Sequence, residues 1–320
     1  MTPDRSTIIV GVLLAVLATL AWAFNFIAPY VTGPYSIYDL TLIRFLIAGA
    51  LGVLGVTLCR AQRRLVPRVR QWLAAGLGII GYLGYSSCIA AGVISGGPVL
   101  TAAFVGLVPV LVALIGNARD RTVPWQRLAL PLTLITLGLL LATISSMALP
   151  HAGQTDRWAG LFFSVLAVAL WLAFSVLNQS ALEQLPAAAT GLWTALMMVG
   201  AGLGALCLIP VVQALGLLDL AGKGFGLGMA GPLYAWALVI ALMSSVIGAW
   251  AWNAATQRLP MVLSGQLISL ESVFAAVLGL VFHARLPTLM EAAGLVAVLM
   301  GAALAVRRML SARRVAAMPV

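Results

Sequence analysis

The chain has 320 residues, of which 62% are hydrophobic and only 8% charged. Soluble domains carry about 25% charged residues, so the composition excludes a water-soluble fold and points to a polytopic membrane protein. The net charge of +10 is no argument for nucleic acid, because the arginines gather between apolar runs, as they do in cytoplasmic loops.

Ten apolar segments follow one another, at 8–28, 36–58, 71–92, 97–116, 126–147, 157–178, 187–209, 232–254, 261–282 and 287–306. Each is near the roughly 20 residues that a spanning helix needs. The first imitates a signal peptide, with Arg5 ahead of it and Ala21-Trp22-Ala23 as a small-residue cleavage site. Its apolar run continues to Ala28, so it reads as an uncleaved span. Short Gly, Pro and charged linkers separate the spans, and the second and seventh are the longest. With ten spans, 14 of the 18 basic residues fall on one side and Arg157, Lys223 and Arg285 on the other, with Arg44 inside a span. Positive charge marks the cytoplasm, so both termini are expected there.

Cys59, Cys88 and Cys207 are scattered through apolar spans and read as packing residues, with no metal or disulfide spacing. Trp72, Trp125, Trp158 and Trp236 lie near span ends and suit interface anchoring. Gly200 and Gly204, and Gly49, Gly52 and Gly55, suit close helix packing. The run from Gly222 to Gly228 lacks the order of a phosphate loop and reads as a flexible external loop.

The two halves are alike. At a shift of 163 residues Pro124 falls on Pro287, Gly116 on Gly279 and Gly138 on Gly301, and at a shift of 149 Trp22 falls on Trp171. Five spans per half invert the second half relative to the first. The expected fold is an all-α polytopic membrane protein of ten transmembrane helices in two inverted five-helix repeats. The first repeat is 1–148, the second 149–308, and 309–320 is a basic cytoplasmic tail. Inverted repeats are a plan of secondary transporters, with the substrate site near the midplane.

No enzyme constellation is visible. His151 and His283 lie in predicted loops, and no Walker A motif is present. The chain is expected to need no cofactor or metal.

Polar and aromatic groups inside the spans are the candidate site. Glu271 lies mid-span at a cost of roughly 2.5–3.5 kcal/mol if ionised. It can be structural, a substrate contact or a proton-coupling group. Gln266 lies on the same helix. Arg44 can snorkel or pair with Asp39, hold a substrate carboxylate, or serve an external gate. Tyr82 and Tyr85 share a face, with Ser86 beside them. Trp171, Ser175 and Asn178 share another, as do Trp22 and Asn25, and Ser245 and Trp252 are seven apart. Mixed aromatic and small polar faces suit a pocket for an amphipathic solute, and suit helix packing equally.

Several stretches resemble the drug/metabolite transporter superfamily and its ten-span EamA-type branch. They are Trp22-Ala23-Phe24-Asn25-Phe26, Ile43-Arg44-Phe45, Leu107-Val108-Pro109-Val110 and Leu270-Glu271-Ser272-Val273-Phe274-Ala275-Ala276. The chain departs from the family at Ser272, where proline is frequent, and near Asn117 and His283, where a Gly-Glu pair is frequent. Within the superfamily it is similar to the aromatic amino-acid exporters of the YddG type. The resemblance implies a bacterial inner-membrane carrier that exports aromatic or other apolar amino acids by alternating access. It also implies a cavity lined from both halves, with the fifth and tenth spans peripheral. Efflux of drugs, purines or other metabolites is the alternative within transport. Outside transport, the alternatives are a membrane-embedded enzyme, a lipid-handling protein or an assembly subunit. The expected partners are a small-molecule substrate and the bilayer, without nucleic acid; monomer and homodimer both fit.

Overall fold

A computed structural model describes residues 5–147, 156–282 and 284–316. The junction at 148/149, His151 and His283 lie outside the described residues. Those described form helices and no strands.

Ten helical spans are long and apolar enough to cross a membrane. We label them α1 (Arg5–Ile27), α2 (Ile37–Leu58), α3 (Arg68–Gly96), α4 (Leu100–Asp120), α5 (Trp125–Ser145), α6 (Arg157–Leu182), α7 (Ala187–Ala214), α8 (Leu227–Thr256), α9 (Met261–Phe282) and α10 (Leu289–Ser311). With an even number of spans, both termini lie at one end of the bundle, the near end; the other is the far end. The expected tail is partly helix, since the last helix runs on from Leu289 to Ala316. Met309 on its inner face is buried, which favours continuing the helix.

The helices pair in a pattern that an exchange of halves reproduces. α2 packs on α7, α4 on α9 and α5 on α10, while α1 packs on α8 and α3 on α6. Replacing each helix by its counterpart five places away returns the same set. Small residues permit the closest of these contacts. A Cβ on Gly49 would meet the Gly202 Cα at 2.8 Å, so α2 and α7 touch backbone to backbone.

Irregularities repeat as well. α3 is π-helical over Ile79–Gly84 and α8 over Ala241–Gly248. α4 breaks at Gly106 and Leu107, and α9 at Ser269, which is 163 residues after Gly106. Pro109 lacks an N–H and so suits the first turn of a new helix. At Ser269 the side-chain hydroxyl donates to the Gln266 carbonyl at 2.6 Å, competing with the backbone ladder.

These breaks divide the bundle. The near half of α4, Val108–Asp120, packs along the near half of α9, Met261–Ile268. A Cβ on Gly116 would lie 2.8 Å from the Met261 Cβ, and one on Gly265 would lie 2.6 Å from the Ala113 nitrogen. Beyond the breaks, α4 turns to α6 and α3, whereas α9 turns to α1 and α10. Residues 261–270 are all buried, but Glu271, Ser272, Phe274 and Ala275 are part-exposed. α4 and α9 are thus packed together at the near end and apart at the far end.

The loop from α7 to α8 is not loose. The Asp39 carboxylate accepts from the backbone nitrogens of Asp219 and Leu220 at 3.0 and 3.2 Å. Lys223 donates to the Pro34 carbonyl, and the Tyr35 hydroxyl to the Gly224 carbonyl. A buried carboxylate needs donors, and this loop supplies them. Glycine at position 224 permits the turn, with φ at 97°.

Candidate functional site

Trp22 of α1 belongs to an aromatic cluster. Its ring centroid is 5.3 Å from that of Trp171 on α6 and 5.1 Å from that of Trp252 on α8. Tyr85 of α3 stands 4.7 Å from Trp171. Phe174 lies 5.2 Å from Trp171 and 5.5 Å from Tyr82. Both halves of the chain therefore contribute rings to one cluster.

Arg44 lies at a neighbouring polar node. It is buried, and its guanidinium donates to Asn25 Oδ1 at 2.7 Å, Ser245 Oγ at 3.2 Å and Ser86 Oγ at 3.3 Å. The Phe45 ring centroid is 4.3 Å from its central carbon. No salt bridge to Arg44 is found among the described residues. The option of pairing with Asp39 does not occur, nor does snorkelling. Asp39 instead forms a capping box with Ser36 at the start of α2 and holds the α7–α8 loop. All three acceptors of Arg44 are neutral. A buried cation without a counter-ion is costly, and an anion placed here would offset that cost.

The π-helical stretches position these partners. One ends just before Tyr85 and Ser86, and the other contains Ser245. Bulges of this kind re-aim side chains and are frequent at functional sites. They also undo a simple heptad reading, so Ser245 turns to Arg44 while Trp252 turns to Trp22.

The other expected residues separate. Tyr82 Oη, Ser87 Oγ, Trp171 Nε1 and Ser175 Oγ are buried without a hydrogen-bond partner among the described residues. Native interiors leave few polar atoms unpaired, so four along α3 and α6 leave hydrogen-bonding capacity to fill. Asn178 shares the buried side of α6 with Trp171 and Ser175, two turns from Trp171 toward the near end, where its side chain is fully engaged. Its amide donates to Asn253 at 2.9 Å, and its oxygen accepts from Trp193 at 2.8 Å. Asn253 donates to Thr194 at 2.8 Å, which closes a neutral node. At the 149-residue shift, Arg44 falls on Trp193, so the two nodes occupy related places with different charge.

Gln266 lies on the sealed side of the break, buried, and donates to the Val262 carbonyl of its own helix at 2.8 Å. Glu271 lies just past the break, on the part-exposed side. Its carboxylate has no hydrogen-bond or ion-pair partner among the described residues. Asn25, Tyr85 and Ser86 are part-exposed too. Phe104 on α4 shares that property and belongs with them, although periodicity alone gave no reason to single it out.

Polar links at the near end join the elements there. Arg119 on α4 meets Glu183 at 2.8 Å beyond α6, and Gln179 donates to the carbonyls of Thr256 and Leu259. At the far end Arg285 pairs with Glu291 at 2.6 Å, and its hydrogen bonds to that carboxylate raise the Arg285 pKa. No group of three or more metal-ligating side chains occurs among the described residues.

Residues 158–307 match the EamA-like transporter family. The whole chain is similar to the inner membrane protein YtfF of Escherichia coli (strain K12), with 29% identity over 93% of this chain and 95% of the other. A solved crystal structure that is 20% identical covers 92% of this chain and 96% of its own, with a TM-score of 0.67, and shows the same fold. Residues 158–307 are thus similar to an EamA-like transporter domain, in a chain whose ten apolar helices are those of a multi-pass membrane protein.

Proposed function

We propose that the chain exports amino acids with aromatic or other apolar side chains by alternating access, with both termini in the cytoplasm. The observation that carries this reading is Arg44, a buried guanidinium with only neutral partners, beside an aromatic cluster with unpaired polar atoms. A substrate carboxylate would supply the missing negative charge in charge-assisted hydrogen bonds. Trp22, Trp171, Trp252 and Tyr85 would bury an apolar or aromatic side chain. Glu271, unpaired on the part-exposed side, would attract the substrate ammonium.

The conformation supports release to the far side, with the near halves of α4 and α9 closed and the far halves apart. Exchange of the two halves' shapes would open the near side instead. Export rather than uptake rests on the family resemblance, and the orientation rests on the arginine distribution.

The experiment is efflux from proteoliposomes loaded with labelled Phe, Trp, Leu, Glu or adenine. Phe and Trp should leave fastest, Leu more slowly, and Glu and adenine at the protein-free rate. Absence of flux for every amino acid would overturn the reading. Flux of adenine alone would replace it with purine efflux, because a neutral ring can stack on tryptophan without engaging Arg44. Repeating the assay with a pH gradient tests whether Glu271 couples protons.

A further inference from the structure

A cleft of about 620 Å³ opens between α1, α9 and α10, away from the aromatic cluster. Val12 and Val16 form one wall, Leu267 and Leu270 the second, and Leu299 and Ala303 the third. Arg5 and Arg307 stand at its near end, with Ser311 beside them. Neither arginine has an ion-pair partner among the described residues.

Two features restrict the occupant. The inner walls of the cleft are apolar and offer water no polar partners, so that part favours hydrocarbon over water. A hydrocarbon chain from the bilayer fits it without desolvating anything polar. The two arginines at its mouth, without an ion-pair partner among the described residues, then favour an anion at headgroup depth. Guanidinium groups engage phosphate oxygens through parallel hydrogen bonds.

We propose that this cleft binds one anionic phospholipid, with an acyl chain between the three helices and the headgroup phosphate on Arg5 and Arg307. Leu267 and Leu270 flank the break at Ser269, so the chain presses on α9 where its sealed half meets its parted half. The lipid braces the near-end seal from behind. This inference does not depend on the identity of the transported substrate.

Native mass spectrometry of the detergent-purified full chain tests it, with dioleoyl-phosphatidylglycerol and dioleoyl-phosphatidylcholine added in equal amounts. The wild type should retain one phosphatidylglycerol in preference to phosphatidylcholine. Arg5→Gln with Arg307→Gln should lower that preference by roughly fivefold per arginine removed. Ala303→Phe, at an exposed position of the third wall, should displace the chain and lower retention of either lipid. Arg63→Gln with Arg64→Gln, on a distant near-end loop, should leave the preference unchanged. Equal retention of the two lipids by the wild type would overturn the proposal. So would an unchanged preference in the Arg5 and Arg307 variant, unchanged retention in Ala303→Phe, or an equal loss in the Arg63 and Arg64 variant, which would mark diffuse surface charge.

Discussion

The two halves of α9 have similar composition and opposite surroundings. Met261–Ile268 carries Ser264 and Gln266, yet every residue in it is buried against α4 and its neighbours. Leu270–Phe282 carries Glu271 and Ser272, yet most of it is part-exposed. Hydropathy does not separate the halves; packing does. Gly116 and Gly265 allow two backbones to meet on one side of Ser269, and no such glycine pair joins α4 to α9 on the other. A helix broken at its middle can keep one half in a seal while the other half swings. The same chemistry is therefore structural below the break and available to a ligand above it.

The most direct way to break this comparison is chemical labelling. Ser264→Cys and Ser272→Cys would be built in a background lacking Cys59, Cys88 and Cys207. A membrane-impermeant maleimide applied from the far side should label the residue-272 thiol to completion and leave the residue-264 thiol untouched. Equal labelling of the two would remove the distinction between a sealed and a parted half. Labelling at residue 272 only from the near side would invert the assignment of the open end.

Arg44→Gln tests whether the parted half leads to the site. Glutamine keeps a donor for Asn25 but removes the charge. Truncating one partner of a buried, hydrogen-bonded charge pair costs 2–5 kcal/mol, so affinity for a carboxylate substrate should fall by roughly 30-fold or more. The loss should appear in KM, measured as efflux against internal Phe concentration, while the residue-272 thiol stays as reactive as before. Unchanged KM would mean that the guanidinium serves packing alone.

The sequence made some of this legible. Ten spans, the repeat and the acid in α9 follow from hydropathy and charge, because the bilayer imposes length and penalises ions. Arg44 was visible as an isolated intramembrane cation, but its partners were not. They stand 19, 42 and 201 residues away, on three other helices. Two π-helical stretches shift the register that a 3.6-residue reading assumes, which is why Ser245 and Trp252 turn to different neighbours despite their seven-residue spacing. The role of Asp39 had a signal that went unused: Ser36 and Asp39 are spaced as a capping box, which competes with any ion pair to Arg44.

The smallest expected effect concerns the seal itself. In Gly265→Ala the new methyl would meet backbone atoms of Val112 and Ala113 at 3.0 and 2.6 Å, so α4 and α9 must separate. Overpacking costs roughly 1–3 kcal/mol, and the helix preference for Ala over Gly cancels because residue 265 is helical in both states. At the low end of that cost, the shift is roughly fivefold toward the state open at the near end. Since the alanine touches no part of the aromatic cluster, KM for Phe should stay near that of the wild type while kcat changes. Near-side labelling of the residue-264 thiol should rise by the same factor, and far-side labelling at residue 272 should slow. A change in KM with no change in labelling would mean that the two halves of α9 are not coupled through the break. Residue 265 would then act on the substrate through the buried interior rather than through the balance between open ends.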